Sequence, residues 1–297
     1  MVKIAIVGMG VMGKNHYRVL QKIQDAKIVG LCDPVAKDEF SHKLYRDLDN
    51  MLDTISIDSI IIATPTFLHK DVAMRCMQKN IHLFIEKPVA STVIDGEIIL
   101  QEAEKRKLKV AVGHIERFNP VVQALKNEIK NKEIYSINIT RIGPFPPRIA
   151  DVGILTDLSV HDIDLIRFIS QKSISKKSIF KSKKIHNHHE DNAILSFAME
   201  NDIVASITTN WLTPFKKRKV EVACKEAYYE ADLMTQELLE YSNFKVNNSF
   251  VIRNCFVKKS EPLFDELSSF INYIKTGQKP ISATIEDSIE TLQTVCE

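Results

Sequence analysis

The chain has 297 residues, of which 44% are hydrophobic and 26% charged, and its formal net charge is +2. This length suits two domains, and the composition excludes disordered and fibrous proteins. A charge so close to neutral gives no electrostatic reason to expect nucleic acid or a membrane surface as the main partner.

Three features of the sequence predict a cytoplasmic protein. The chain enters a predicted strand at its start, which leaves no room for a signal peptide, and no apolar run is long enough to cross a bilayer. The cysteines are scattered and lack CxxC spacing, so we expect free thiols rather than disulfides or a zinc site. They are Cys32, Cys76, Cys224, Cys255 and Cys296.

The first part of the chain alternates short β-branched runs with helical stretches. Strands are predicted at 3–7, 27–32, 59–63, 82–85 and 110–112, and helices at 12–23, 67–79 and 92–106. Strands separated by helices predict βαβ units and a parallel sheet covered by helices on both faces. This is the pattern of a doubly wound Rossmann domain, which we place at residues 1–118.

The order of elements changes after Asn119-Pro120. A helix at 121–131 is followed by extended stretches at 134–142, 173–185, 193–199, 203–210 and 219–223, with a helix at 160–169 among them. Consecutive strands predict a mainly antiparallel open sheet. Two closing helices, at 261–276 and 285–295, complete a second α/β domain at 119–297, which we expect to bind substrate and supply catalytic groups.

A glycine-rich turn, Gly8-Met9-Gly10-Val11-Met12-Gly13, joins the first predicted strand to the first helix. In such a turn the first glycine permits the tight bend, the second lets the backbone approach a pyrophosphate, and the third allows close helix–strand packing. The helix N-terminus offers N–H groups to the phosphates. Asp33 ends the second strand, where a carboxylate accepts hydrogen bonds from ribose hydroxyls and repels a 2′-phosphate. We therefore predict NAD rather than NADP, with a turn role before Pro34 as the alternative for Asp33.

Two further strand ends are predicted at the same sheet edge, where ligands of such sheets bind. Thr64-Pro65 should line the nicotinamide side, and the ammonium of Lys87 can donate to a substrate oxygen, although a surface lysine is the alternative. We assign no catalytic role to His69, because a surface helix position explains it equally well. The predicted cofactor-binding residues are Gly8, Gly10, Val11, Met12, Gly13, Asp33, Thr64, Pro65, Glu86 and Lys87.

Taken together, the motifs resemble the Gfo/Idh/MocA family of oxidoreductases. They are the glycine turn, Asp33, residues 63–66, Glu86-Lys87-Pro88, the stretch at 151–162 and the C-terminal stretch at 270–280. The resemblance implies oxidation of a CH–OH group with NAD, with Lys87, His161 and Asp157 as catalytic residues. It also implies a homo-oligomer, a dimer or tetramer, formed through the C-terminal sheet. Histidine suits removal of the hydroxyl proton because its pKa lies near neutrality.

Two segments, 113–120 and 141–148, resemble UDP-N-acetylglucosamine 3-dehydrogenases, which oxidise the C3 hydroxyl of that nucleotide sugar. The resemblance implies that Arg117, Asn119 and Arg148 bind substrate along with Lys87 and His161. Guanidinium groups match phosphate oxygens bidentately, although interdomain ion pairs would explain both arginines as well. An inositol, a free sugar or another polyol is the alternative substrate. A non-catalytic NAD-binding sensor is the alternative from another class, and the presence of Lys87 and His161 argues against it.

Other clusters have simpler explanations. The histidine-rich segment at 186–191 has metal-ligand composition, yet we interpret it as a solvated loop, since hydride transfer to NAD needs no metal here. The lysines between 172 and 184 are typical of an edge strand protected from unwanted pairing, so we expect no nucleic-acid binding. Lys216-Lys217-Arg218 is ambiguous and could face a diphosphate. Residues 224–227 occupy a predicted turn where members of the Gfo/Idh/MocA family usually have glycine, so the sequence departs from the family pattern there.

Overall fold

A computed structural model describes residues 1–146, 152–186, 188–244 and 249–296. The chain forms two compact units. The first comprises Met1–Phe118 with Glu261–Gln293, and the second comprises Asn119–Ser260 with Thr294–Glu297. No helix in these described ranges is long and apolar enough to cross a membrane.

The first unit contains a six-stranded parallel sheet in the order β3-β2-β1-β4-β5-β6. Its strands are β1 Val2–Val7, β2 Ala26–Cys32, β3 Leu44–Tyr45, β4 Ser59–Ile62, β5 His82–Glu86 and β6 Val110–Gly113. Every residue of β4 is buried, as expected for a central strand covered on both faces. The helices of this part are α1 Val11–Leu20, α2 Leu48–Thr54, α3 His69–Gln78 and α4 Val93–Arg106.

The second unit contains an eight-stranded sheet in the order β14-β13-β12-β11-β7-β10-β9-β8. Neighbouring strands are antiparallel except β7 and β10. In chain order the elements are α5 Pro120–Glu128, β7 Ile134–Pro144, α6 Val160–Ser170, β8 Ile174–Ser182, β9 Asn192–Met199, β10 Val204–Asn210, β11 Leu212–Cys224, β12 Ala227–Asp232, β13 Glu237–Ser242 and β14 Val251–Cys255. Alternate residues of β7, β9 and β10 are buried in one core with α5 and α6.

The predicted fold class, a Rossmann parallel sheet followed by a mainly antiparallel sheet, is confirmed. The strand predicted at 219–223 is the end of the longer β11, and β3, α2 and β12 to β14 were not predicted.

The two closing helices, α7 Pro262–Thr276 and α8 Ile285–Cys296, differ from the predicted domain division. Leu267 and Phe270 of α7 are buried in the same core cluster as Ile4 of β1, and Ile289 of α8 is buried with Ile62 of β4. The predicted division places all of 119–297 in one domain, because the order of elements changes near residue 118. Most residues of these two helices instead belong to the first unit, because their apolar faces are buried in the core clusters of the parallel sheet.

Candidate functional site

The glycine-rich turn has the geometry that close packing requires. Gly8 has a φ of +94°, and a Cβ there would lie 2.5 Å from the Ala63 carbonyl oxygen. A Cβ at Gly13 would lie 1.9 Å from the Gly8 carbonyl oxygen. At Gly10, by contrast, an added Cβ would meet no described atom within 4 Å. Gly8 and Gly13 thus allow the turn to pack closely. Gly10 leaves an open backbone at the N-terminus of α1, which fits a pyrophosphate.

Asp33 follows β2 and binds the turn directly. Its Oδ2 accepts a hydrogen bond from the Met9 amide at 2.8 Å, and its Oδ1 accepts from the amides of Val35 and Ala36 at 2.9 and 2.8 Å. Burial acts to raise the pKa of this carboxyl, but these amides and the charge of Arg46 outweigh it, so the pKa is lowered. Asp33 therefore stabilises the turn that it begins, which was the alternative role. It is also an ionised hydrogen-bond acceptor beside the glycine-rich turn.

Glu86 and Lys87 lie at the end of β5. The carboxylate of Glu86 contacts Nε2 of the fully buried His16 on α1 at 2.6 Å. Burial tends to raise the pKa of Glu86, yet the hydrogen bond and charge of His16 outweigh burial and lower that pKa. Glu86 thus links α1 to β5, the strand that ends just before Lys87. Sequence reasoning missed His16, although a histidine on the inward face of α1 is a signal of a buried polar partner.

His69 opens α3 and is 1% exposed, so the alternative of a surface helix position is wrong. Its Nε2 lies 3.0 Å from the Thr64 carbonyl oxygen, and its Nδ1 lies 3.0 Å from the Pro88 carbonyl oxygen. The ring therefore contacts both of the strand-end segments that we predicted to line the cofactor.

In the second unit, Asp157 lies in a short π-helical turn, Leu155–Ser159, that runs directly into α6. His161 follows in the first turn of α6, and both side chains are half-buried. The next residue, Asp162, is fully buried and paired with Arg141 of β7 at 2.8 Å. Single π-helical turns occur frequently at functional sites. Asp157 and His161 thus lie four residues apart on one continuous helical stretch.

Glu190 supports the segment that leads into this turn. Its Oε1 accepts a hydrogen bond from the Leu155 amide at 3.3 Å, and its carbonyl oxygen accepts from the Ile154 amide at 3.0 Å. A Cβ at Gly153 would lie only 2.1 Å from the same Oε1. The carboxylate therefore lies against the backbone of Gly153, and no pattern in the sequence predicts this contact.

The predicted substrate residues have protein partners. Arg117 is 6% exposed, and its Nη1 lies 3.1 Å from Oδ2 of Asp287 in α8. Asn119 caps α5 by accepting from the Val121 amide at 3.3 Å and donates to the Leu233 carbonyl at 3.0 Å. The contact of Arg117 supports the alternative of an ion pair. Arg117 and Asp287 both lie in the first unit, however, so this ion pair is not interdomain. Arg148 lies outside the described residues.

The histidine-rich segment forms hydrogen-bonded turns. Nδ1 of His186 accepts from the amides of His188 and His189 at 3.1 and 3.0 Å, and Asp191 accepts from the amides of residues 184 to 186. Asn187 lies outside the described residues. A different group, Glu128, Glu240 and Cys255, is compact enough for a metal ion, but Arg253 forms ion pairs with both carboxylates. That group is therefore accounted for by charge pairing.

Comparison with known proteins agrees with this geometry. The family model of the NAD-binding Rossmann-fold oxidoreductases matches residues 2–114, and the Gfo/Idh/MocA C-terminal domain matches residues 133–230. The chain belongs to the Gfo/Idh/MocA oxidoreductase family. It is accordingly an NAD-dependent dehydrogenase that acts on hydroxyl groups, and the predictions of family, enzyme class and cofactor are confirmed.

The relatives differ in their substrates. A UDP-N-acetylglucosamine 3-dehydrogenase of Acidithiobacillus ferrooxidans is 24% identical over 256 residues, covering 80% of this chain and 76% of that enzyme. Its solved structure has a TM-score of 0.90, is 22% identical and covers 99% of this chain and 95% of that one. The myo-inositol 2-dehydrogenase of Thermotoga maritima is 22% identical over 300 residues, covering 94% of this chain and 90% of that enzyme.

One similar structure was solved with cofactor bound. It is an oxidoreductase of Agrobacterium radiobacter in complex with NAD+, L-tartaric acid and magnesium, with a TM-score of 0.87 and 17% identity, covering 99% of this chain and 94% of that one. At such identity the likeness concerns the fold alone.

Proposed function

We propose that this protein oxidises the C3 hydroxyl of UDP-N-acetylglucosamine to the 3-keto nucleotide sugar, with NAD as the hydride acceptor. The observation that carries the proposal is the likeness to the Acidithiobacillus ferrooxidans enzyme, which covers 80% of the chain. The segments 113–120 and 141–148 strengthen it, because they resemble the corresponding segments of such enzymes.

In the proposed mechanism this chain supplies three groups that act on the substrate oxygen. His161 accepts the proton of the C3 hydroxyl, and Asp157 shares in that transfer. Lys87 donates a hydrogen bond to the same oxygen and stabilises the negative charge that develops there. NAD, when bound, would supply the acceptor for the hydride of C3.

The cofactor would be held by residues of the first unit. The α1 N-terminus at Gly10 to Gly13 would donate to the pyrophosphate, and the ionised carboxylate of Asp33 would accept from the adenosine ribose. Thr64-Pro65 and the Glu86-Lys87 strand end would line the nicotinamide side.

The contacts that we propose for the nucleotide sugar involve Arg117, Asn119 and Arg148. Asn119 and Arg117 are each held by a protein partner, so their proposed part is to orient the hexose while those contacts persist. Arg148 and the segment 216–218 are the candidates for the diphosphate in this proposal. Because the uridine diphosphate would supply binding energy remote from C3, free N-acetylglucosamine should be a poor substrate.

A polyol dehydrogenase is the second candidate, and two observations favour it. The likeness to inositol dehydrogenases of Thermotoga maritima and Bacillus subtilis covers 94% and 97% of the chain. The pairing of Arg117 with Asp287 also engages one of the two arginines whose presence favoured a nucleotide-sugar substrate.

A substrate panel separates the two candidates. The enzyme would be mixed with NAD and, in turn, UDP-N-acetylglucosamine, N-acetylglucosamine 1-phosphate, N-acetylglucosamine, myo-inositol and scyllo-inositol, with NADH absorbance as the measurement. The proposal predicts the highest kcat/KM for the UDP-sugar and a marked loss when the uridylyl group is removed. Efficient oxidation of an inositol, with none of the UDP-sugar, would establish the second candidate instead.

A further inference from the structure

His69 connects two backbone segments that follow adjacent parallel strands. Thr64 follows β4 and Pro88 follows β5, and these strands pair in register from Ser59 with His82 to Ile62 with Ile85. The carbonyl oxygens of Thr64 and Pro88 each lie 3.0 Å from a different nitrogen of the imidazole ring. The ring is thus the polar link between the predicted nicotinamide turn and the peptide that follows Lys87.

The chemistry of the contacts makes this link more than space filling. A carbonyl oxygen accepts hydrogen bonds only, so each ring nitrogen must donate to hold its partner, and neutral imidazole has a single N–H. Burial is the main influence on the pKa of His69 and lowers it, whereas both carbonyls and the charge of Glu86 act in the opposite direction. An apolar side chain at this position would take the ring away from both carbonyls, and the contact with Pro88 is buried, where unpaired polar groups are rare.

We propose that His69 is a positioning residue for the dehydrogenase reaction, in which Nδ1 holds the Pro88 carbonyl and so fixes the backbone that carries Lys87. The inference rests on the proposed role of Lys87 on the substrate oxygen. In the other tautomer of the neutral ring, Nε2 donates to the Thr64 carbonyl instead, so the two segments share one N–H donor. His69 itself touches neither substrate nor cofactor, so its effect reaches the reaction through the placement of these two segments.

Two substitutions separate the two contacts. The amide nitrogen of asparagine lies as many bonds from Cα as Nδ1 does, and that of glutamine lies as many bonds from Cα as Nε2. His69→Asn therefore preserves the donor to Pro88, whereas His69→Gln preserves the donor to Thr64. His69→Ala removes both.

The expected result is a split between kcat and cofactor affinity. His69→Asn should keep kcat within about threefold of wild type, whereas His69→Gln should lower it by roughly 10- to 100-fold, because a displacement of about 1 Å at a reacting group costs on that scale. The affinity for NAD, measured by calorimetry, should follow the opposite order. The assay uses whichever of UDP-N-acetylglucosamine or myo-inositol is turned over by the wild-type enzyme.

A stability control and a measurement without substrate complete the test. Asp47→Ala removes the N-cap of α2, whose side chain accepts from the Asn50 amide, and the loss of such a cap destabilises a helix. It should lower the melting temperature without changing kcat. In hydrogen exchange, the peptide containing Val89 and Ala90 should exchange faster in His69→Gln than in His69→Asn.

The outcomes distinguish this inference from the proposed function. If Lys87→Met is inactive while both His69→Asn and His69→Gln have wild-type kcat and equal exchange, the positioning role is refuted and the role of Lys87 survives. If Lys87→Met keeps wild-type kcat, both ideas fail together. Equal losses of kcat in the Asn and Gln variants, in proportion to lost stability, would reduce His69 to a structural residue.

Discussion

At the scale of single residues, the site consists of charged groups whose partners fix their ionisation. Asp33 and Glu86 both have lowered pKa values although burial acts against them, because backbone amides hold the first and His16 holds the second. A carboxyl with a lowered pKa contributes stability above its unfolded pKa, and that stability is lost as the pH falls through the folded value. Because their pKa values are lowered, both groups are ionised at neutral pH.

Asp33 provides a test of cofactor choice. Replacing it with serine removes an ionised acceptor near the adenosine ribose and a charge that opposes a 2′-phosphate. We expect NAD to bind roughly 10- to 100-fold more weakly, as for loss of hydrogen bonds to a charged group, while NADP loses less. Calorimetric titration of both cofactors measures the ratio.

The matched control for Asp33 is Asp58→Ser. Asp58 also accepts a hydrogen bond from a backbone amide, that of Lys3 at 2.8 Å. It precedes β4 and so lies at the amino edge of the same sheet, away from the glycine turn. Its substitution should leave the ratio of NAD to NADP affinity unchanged. Tighter binding of NADP than NAD by the wild-type protein would refute the assignment to Asp33.

Lys87 and His161 carry the proposed chemistry. Lys87→Met and His161→Ala should each lower kcat by roughly 10²–10⁴-fold, the usual contribution of general acid–base catalysis. Affinity for NAD should stay near wild type, because both groups act on the substrate oxygen. Steady-state kinetics and calorimetry measure the two effects, and Lys79→Met, at an exposed ion pair with Asp53, is the control. Half of the wild-type activity in His161→Ala would remove that residue from the mechanism.

At the scale of elements, the π-helical turn before α6 is supported by a contact between Gly153, just before the turn, and Glu190, which is distant in sequence. A Cβ at Gly153 would lie within 2.5 Å of the Glu190 carboxylate, which accepts from the Leu155 amide. Glu190→Ala should cost about 0.5–1.5 kcal/mol, the usual value of one hydrogen bond. Gly153→Ala should cost a similar amount, because the flexible Glu190 carboxylate can move aside and then loses that hydrogen bond.

The double variant tests the coupling. Once the Glu190 side chain is gone, the added methyl group has room, so Gly153→Ala with Glu190→Ala should be no less stable than Glu190→Ala alone. Denaturant midpoints of the four proteins measure the interaction. Strict additivity of the two single losses would show that Gly153 and Glu190 act independently.

The sequence predicts most of the longer elements of the parallel sheet, whereas several short elements were not predicted. Alternation of apolar strands with helices, together with the glycine turn, predicted β1, β2, β4, β5 and β6 and their edge. β3 pairs with β2 through two residues, so it leaves no periodic signal. The partners of Arg117, Glu86 and Gly153 could not be predicted either, because Asp287, His16 and Glu190 meet them only after long stretches of chain have folded.

At the scale of the whole molecule, the sheet of the second unit carries exposed apolar side chains on the face opposite its core. Phe180 of β8 pairs with Ile194 of β9, and they are 69% and 48% exposed, with Val204 of β10 at 59%. Exposed apolar groups clustered on one face are typical of an interaction site. We therefore keep the proposal of a homo-oligomer formed through this sheet.

Light scattering after size-exclusion chromatography tests that proposal. The wild-type protein should elute as a dimer or tetramer, and Ile194→Lys combined with Phe180→Lys should shift it toward the monomer. Ile94→Lys, at an exposed apolar position of α4, should not change the mass. A monomeric wild-type protein at micromolar concentration would contradict the proposal.

The central claim is hydride transfer from C3 of UDP-N-acetylglucosamine to NAD, and isotope transfer tests it most directly. The enzyme would be given UDP-N-acetylglucosamine deuterated at C3 with unlabelled NAD, and both products would be analysed by mass spectrometry. The account predicts NADH that contains the deuterium and a UDP-sugar that has lost the C3 deuterium and one hydroxyl proton. NADH without deuterium would show that another carbon is oxidised, and no NADH at all, with ready oxidation of myo-inositol, would contradict the substrate assignment.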